Sequence, residues 1–100
     1  MAESIAANGN ILSGEKTVTT TGTAEALRGA VIVRALTIIA KAANTNQVYV
    51  GGSDVATTTN DGLDAGQALV LESDKGIDLS TVFLDVDTNG EGVDYYAIIG

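Results

Sequence analysis

One hundred residues suit a single small domain, and a domain of that size buries only about 60–70% of its unfolded surface, so contact with other molecules is expected to add stability. Thirteen acids against five bases give a net charge of -8, which opposes binding to nucleic acid and to anionic membranes. The chain has no Cys and no His, which excludes disulfides, thiolate or His-ligated metal sites, and Ser-His or Cys-His catalysis.

Residues 1–14, MAESIAANGNILSG, are small and polar, with Asn-Gly and Ser-Gly breakers. They read as an extended N-terminal arm ahead of a β-sandwich domain over residues 15–100. Ile5, Ile11 and Leu12 are the arm's sizeable aliphatics and its candidates for gripping a neighbour; a frayed terminus is the plainer alternative. The arm lacks the basic start and long apolar stretch of a signal peptide, and no apolar run approaches the ~20 residues of a membrane span. A soluble, cytosolic protein is therefore expected.

Lys16 to Thr23 is rich in β-branched residues and predicts a strand with a glycine break. Residues 24–43 leave helix and strand both open: alanines and leucines favour a helix, Gly29 and the Val/Ile/Thr group a strand buried on both faces. A strand over about Val31–Ala42 is the preferred reading. Gln47–Gly51 and Gln67–Glu72 are short strands, separated by the turn-rich Ser53–Gly66 and followed by a turn at Ser73–Gly76. Thr81–Asp87 and Val93–Ile99 alternate cleanly. The expected fold is all-β: a small antiparallel sandwich or barrel of about six to seven short strands with an extended N-terminal arm.

Between the last two strands lies DVDTNGEG, Asp85 to Gly92. D-x-D-x-N-G begins an EF-hand calcium loop, but the twelfth position is Tyr96, which cannot supply the bidentate carboxylate, and both flanks have period two. A two-residue Asn89-Gly90 hairpin fits better. Its register opposes Val86 to Val93 and Leu84 to Tyr95, so that Val82, Leu84, Val86, Val93, Tyr95, Ala97 and Ile99 form a core face. The other face then gathers Asp85, Asp87 and Asp94 near the turn, with Phe83, Tyr96 and Ile98 beyond them. The acids read as a solvated tip, a shared cation site or a surface for a basic partner. The apolar patch reads as covered by a loop of the same chain or as a subunit interface. Asp54, Asp61 and Asp64 share one loop without diagnostic spacing, so catalysis by a carboxylate pair is weakly supported and an enzyme is not expected. Arg28 and Arg34 are the only arginines.

Several stretches resemble small β-sandwich virion proteins of tailed bacteriophages. They are Val48-Tyr49-Val50-Gly51-Gly52, Leu63 to Leu69 (LDAGQAL), Asp78 to Asp85 (DLSTVFLD) and Asn89 to Tyr95 (NGEGVDY). The similarity covers roughly residues 47–96, and its motifs are structural, each glycine answering to a turn. Such proteins serve as capsid decoration (cement) proteins and head-fibre bases. The resemblance implies a homo-oligomer, often a trimer, that binds the major capsid protein and itself, with no cofactor and no catalytic residue. It implies a place on the capsid surface after assembly in the host cytoplasm. The chain contains no Pro, unlike the Pro-rich start of the small lambda-type head-decoration protein. The alternative is a fibre- or tail-associated module that recognises a host glycan or protein through Ser53–Gly66.

Overall fold

β-Branched and aromatic residues spaced two apart set the strands, because alternate side chains leave opposite faces of the pleated backbone. The structure, a computed structural model, describes residues 10–58 and 60–99. Its strands are β1 (Asn10–Thr17), β2 (Glu25–Ala26), β3 (Ile32–Ala40), β4 (Val48–Gly51), β5 (Ala68–Asp78), β6 (Phe83–Val86) and β7 (Gly92–Ile99), with one 3-10 turn at Leu79–Thr81. The segment open to helix or strand is thus a strand. In β3, Leu36, Ile38 and Ala40 face the core, and Ala35, Thr37 and Ile39 on the other side are half-buried between the flanking strands.

The strands form two antiparallel sheets, a large one in the order β1-β7-β3-β5 and a small one in the order β2-β6-β4. The chain crosses from sheet to sheet with nearly every strand. The exception follows β4, where Leu63 forms an isolated bridge to Val48 and remains with the small sheet. That winding is a jelly roll in which one strand has shrunk to a single bridge. The core lies between the sheets, with Val33, Leu36 and Ile38 facing Val48, Leu84 and Val86, all fully buried. Each such side chain contributes about 1.5–3 kcal/mol by leaving water.

Tyr95 closes the core towards β1. Gly14 stands opposite it in the ladder, and a Cβ there would meet the Tyr95 ring, so glycine makes room for the aromatic. The phenol oxygen accepts a hydrogen bond from Arg28 Nη1 at 3.1 Å. Nearby, Lys16 of β1 and Glu25 of β2 pair at 2.9 Å and join the two sheets along their open edge.

Four expectations change. Residues 10–14, assigned to the arm, are the first part of β1 and pair with β7, because their alternation matches the Ile98, Tyr96 face; residues 1–9, including Ile5, lie outside the described residues. Conversely, the Thr-rich stretch after Thr17 turns instead of continuing as a strand. The turn expected at Ser73–Gly76 lies within β5, which absorbs it through a register shift against Val33 and Ala35 and a left-handed Gly76 (φ 93°).

The fourth change is the hairpin. β6 and β7 belong to different sheets, so Val86 does not oppose Val93. Asn89 does not take the positive φ that a type I′ turn requires of both central residues; only Gly90 does, at 86°. The connection instead crosses the end of the sandwich and binds its neighbours. Val18 N donates to Glu91 O (2.9 Å), Gly90 N to Val18 O (2.8 Å), Lys41 N to Gly92 O (3.1 Å) and Thr21 N to Asn89 Oδ1 (2.8 Å). Crossing satisfies backbone groups of three loops at once, which a two-residue hairpin tip would leave to water.

Candidate functional site

The outer face of the large sheet follows from its register. Across β1, β7, β3 and β5, one row reads Glu15, Asp94, Ile39, Ala68; the next Ser13, Tyr96, Thr37, Val70; the third Ile11, Ile98, Ala35, Glu72. Ile11 is 72% exposed, Val70 59%, Tyr96 51% and Ile98 38%. Among the described residues these are four of the five exposed large hydrophobics; the fifth, Ile32, sits beyond the β3–β5 register shift. Isolated exposed apolar residues are ordinary, whereas a group of them on one sheet face is a candidate interaction surface.

Charges border this face. Lys41 Nζ lies 2.6 Å from Glu15 Oε1 and 2.8 Å from Asp94 Oδ1. The hydrogen bond to Asp94, then that to Glu15, raises the ammonium above its ordinary pKa. At the other end, Arg34 Nη1 donates to Asp74 O at 3.1 Å, where Arg34, Ala35, Glu72, Ser73 and Asp74 line a shallow open groove.

The outer face of the small sheet is built oppositely. Tyr49 and Asp85 stand opposite each other on it, and both are buried, Asp85 to 1% exposure. The loop 18–24 supplies Gly22 N, which donates to Asp85 Oδ1 at 2.9 Å; Val86 N donates to the same oxygen at 2.8 Å. From the loop 52–67, Val55 packs on Gly51, and Gly62 lies so close to the Tyr49 ring that a Cβ would crowd it. The Tyr49 hydroxyl donates to Asp87 Oδ2 at 2.9 Å. Burial first, then that carboxylate, pushes its pKa up.

These placements separate the residues that the hairpin register had joined. Asp85 is in the small sheet, Asp87 binds Tyr49, and Asp94 binds Lys41 on the large sheet. The acids therefore form no shared cation site, and no three acids converge on one among the described residues. Asp64 Oδ1 accepts from Gln47 Nε2 at 2.9 Å, a structural bond in an exposed loop. Of the candidate interface residues, Ile11, Tyr96 and Ile98 come together on the bare face. Leu12 points inward and packs against the core. Phe83 is half-buried on the other sheet.

Two participants escaped the sequence. Val70 joins the bare face only because β5 pairs with β3 in one register, which its own stretch, QALVLE, does not encode. Glu91 ties the crossing to the loop 41–47: its carboxylate accepts Thr45 N at 2.6 Å, Thr45 Oγ1 at 2.8 Å and Asn46 N at 3.1 Å. The Thr45 backbone bond is the main reason that its pKa is lowered. The available signal was an acid directly after the Asn89-Gly90 pair, which alone names no partner. Comparison with protein-family models, with curated proteins and with solved structures returns no match.

Proposed function

We propose that the chain is a structural assembly protein, and specifically a capsid decoration protein of a tailed phage that stabilises the assembled head by binding across major capsid protein subunits. The observation that carries the assembly reading is the bare apolar face of the large sheet, in a molecule whose other sheet is covered by its own loops. The phage reading draws on the resemblance of residues 47–96 to small virion proteins, and the jelly-roll winding is one that viral capsid and lectin domains use. Binding only to the assembled shell stabilises the shell by mass action. The net charge of -8 favours a docking surface with basic residues. In this reading the protein is not an enzyme, needs no cofactor and resides on the virion.

A glycan- or host-binding module would use Ser53–Gly66. That segment already packs on Gly51 and Tyr49, so the observations favour the structural role. The deciding experiment mixes the purified chain with heads of the phage that encodes it and with unassembled capsid protein. Saturable binding to heads alone, with regular added density by electron microscopy, is expected. A chain that ignores heads, or binds glycans instead, overturns the proposal.

A further inference from the structure

We infer that the bare face of the large sheet is the contact between two copies of this chain, packed face to face about a two-fold axis. The inference deepens the assembly reading and rests on it: it names what covers the face.

Area is the first argument. Four strands about 4.8 Å apart and about 27 Å long present roughly 500 Å², so two copies together bury about 1,000 Å², the lower bound for a specific interface. Sheets also pack on sheets in this way, about 10 Å apart, when both faces are apolar. Charge is the second. Four acids (Glu15, Glu72, Asp74, Asp94) and two bases (Arg34, Lys41) lie on or beside the face, leaving it two net negative charges of the chain's eight. Lys41 is already answered by Glu15 and Asp94. Two such faces meet without strong repulsion, while the acidic loops point away. A basic partner would be drawn to those loops instead.

Symmetry is the third. A second copy offers no other comparable apolar patch among the described residues, since all five exposed large hydrophobics lie on this side of the large sheet, Ile32 at its end beyond the register shift. The same patch must therefore serve both partners, which is an isologous contact and closes at two. Tyr96, near the centre with Thr37 and Ser13 beside it, has the large amphipathic ring that anchors interfaces.

Sedimentation of the full chain from micromolar to millimolar concentration tests this. The mass should rise from the 10.1 kDa of one chain towards twice that value. Val70→Lys, at an exposed site where the fold tolerates it, should weaken association at least tenfold, and Tyr96→Ser likewise. Ser53→Ala, at an exposed site in the loop that covers the small sheet, should leave the curve unchanged. Thermal melts at high dilution verify that each variant folds. A monomer at every concentration, a trimer, or a dimer indifferent to Val70→Lys overturns the pairing. Binding to phage heads is measured separately: a monomer that binds heads removes the pairing and leaves the assembly reading intact, whereas a dimer that never binds heads does the reverse.

Discussion

The small sheet hides its outer face beneath two of the chain's own loops, whereas the large sheet leaves its outer face to solvent. The reasons lie in what each face carries. On the small sheet the exposed alternative would be a carboxylate beside a tyrosine ring, and the loop 18–24 turns Asp85 into an acceptor for two backbone amides. The loop 52–67 then fills the space over Gly51 and Tyr49. Among the described residues no comparable loop crosses the large sheet, and its central row holds Tyr96 and Val70 with only Ser13 and Thr37 for polar relief. One face is finished within the chain; the other is left open by the described residues. A perturbation of the covered side should therefore damage folding, and one of the bare side should damage association only.

The largest effect is expected at Gly92, where the covered end and the large sheet meet. A Cβ there would overlap the carbonyl oxygen of Lys16 and press on the Thr17 backbone, neither of which is a flexible side chain. Gly92→Ala should cost roughly 3 kcal/mol or more and leave little folded protein. Far-UV circular dichroism with urea titration measures it, and a loss below about 1 kcal/mol would show that β1 can shift away.

Asp85 ranks next. Asp85→Ala strips two amides of their acceptor under a closed loop, which should cost about 2–4 kcal/mol. Asp85→Asn keeps an acceptor oxygen in place and should cost roughly half as much. Equal urea midpoints for the two variants would mean that the loop 18–24 is held by something other than this acceptor.

These two residues also show what the sequence made legible. Period-two alternation named the inward set correctly: Val82, Leu84, Val86, Val93, Tyr95 and Ala97 are all buried, and Ile99 is partly buried against them. Alternation states which way a side chain points, not which sheet its strand joins, so the same pattern suited a hairpin and a crossing equally. Asp85 was correctly placed off the core face, but its burial comes from Gly22, 63 positions away. The bare face was half legible for the same reason. Tyr96 and Ile98 declare themselves by alternation within β7, while Ile11 and Val70 reach them only through strand pairing.

Acid should separate the two faces more gently. Glu91 holds the loop 41–47 to the crossing, and its pKa is lowered, chiefly by the Thr45 amide. Glu25 is lowered by its bond to Lys16 and then by the Thr19 amide. A lowered folded pKa means that the stabilising contribution is present above the ordinary glutamate value of 4.5 and is lost as pH falls through the lower folded value. The melting temperature should stay level from about pH 7 to about pH 5 and fall below that. Glu91→Gln should melt lower at neutral pH and show a shallower acid slope. An identical slope in both proteins would assign the acid loss to other carboxylates.

The smallest effect on folding belongs to Val70, on the open face of the large sheet. Its side chain is largely exposed in one molecule, so Val70→Thr removes little burial and should change dilute-solution stability by less than about 0.5 kcal/mol. Across a sheet-to-sheet contact, the same change places a hydroxyl against an apolar surface without a partner and should weaken association. Melting each protein at low and at high concentration reads both quantities. The wild type should gain melting temperature with concentration, because association stabilises the folded form, and Val70→Thr should gain less. If the variant already melts several degrees lower when dilute, Val70 is covered within the single chain, and the difference between the two sheets disappears.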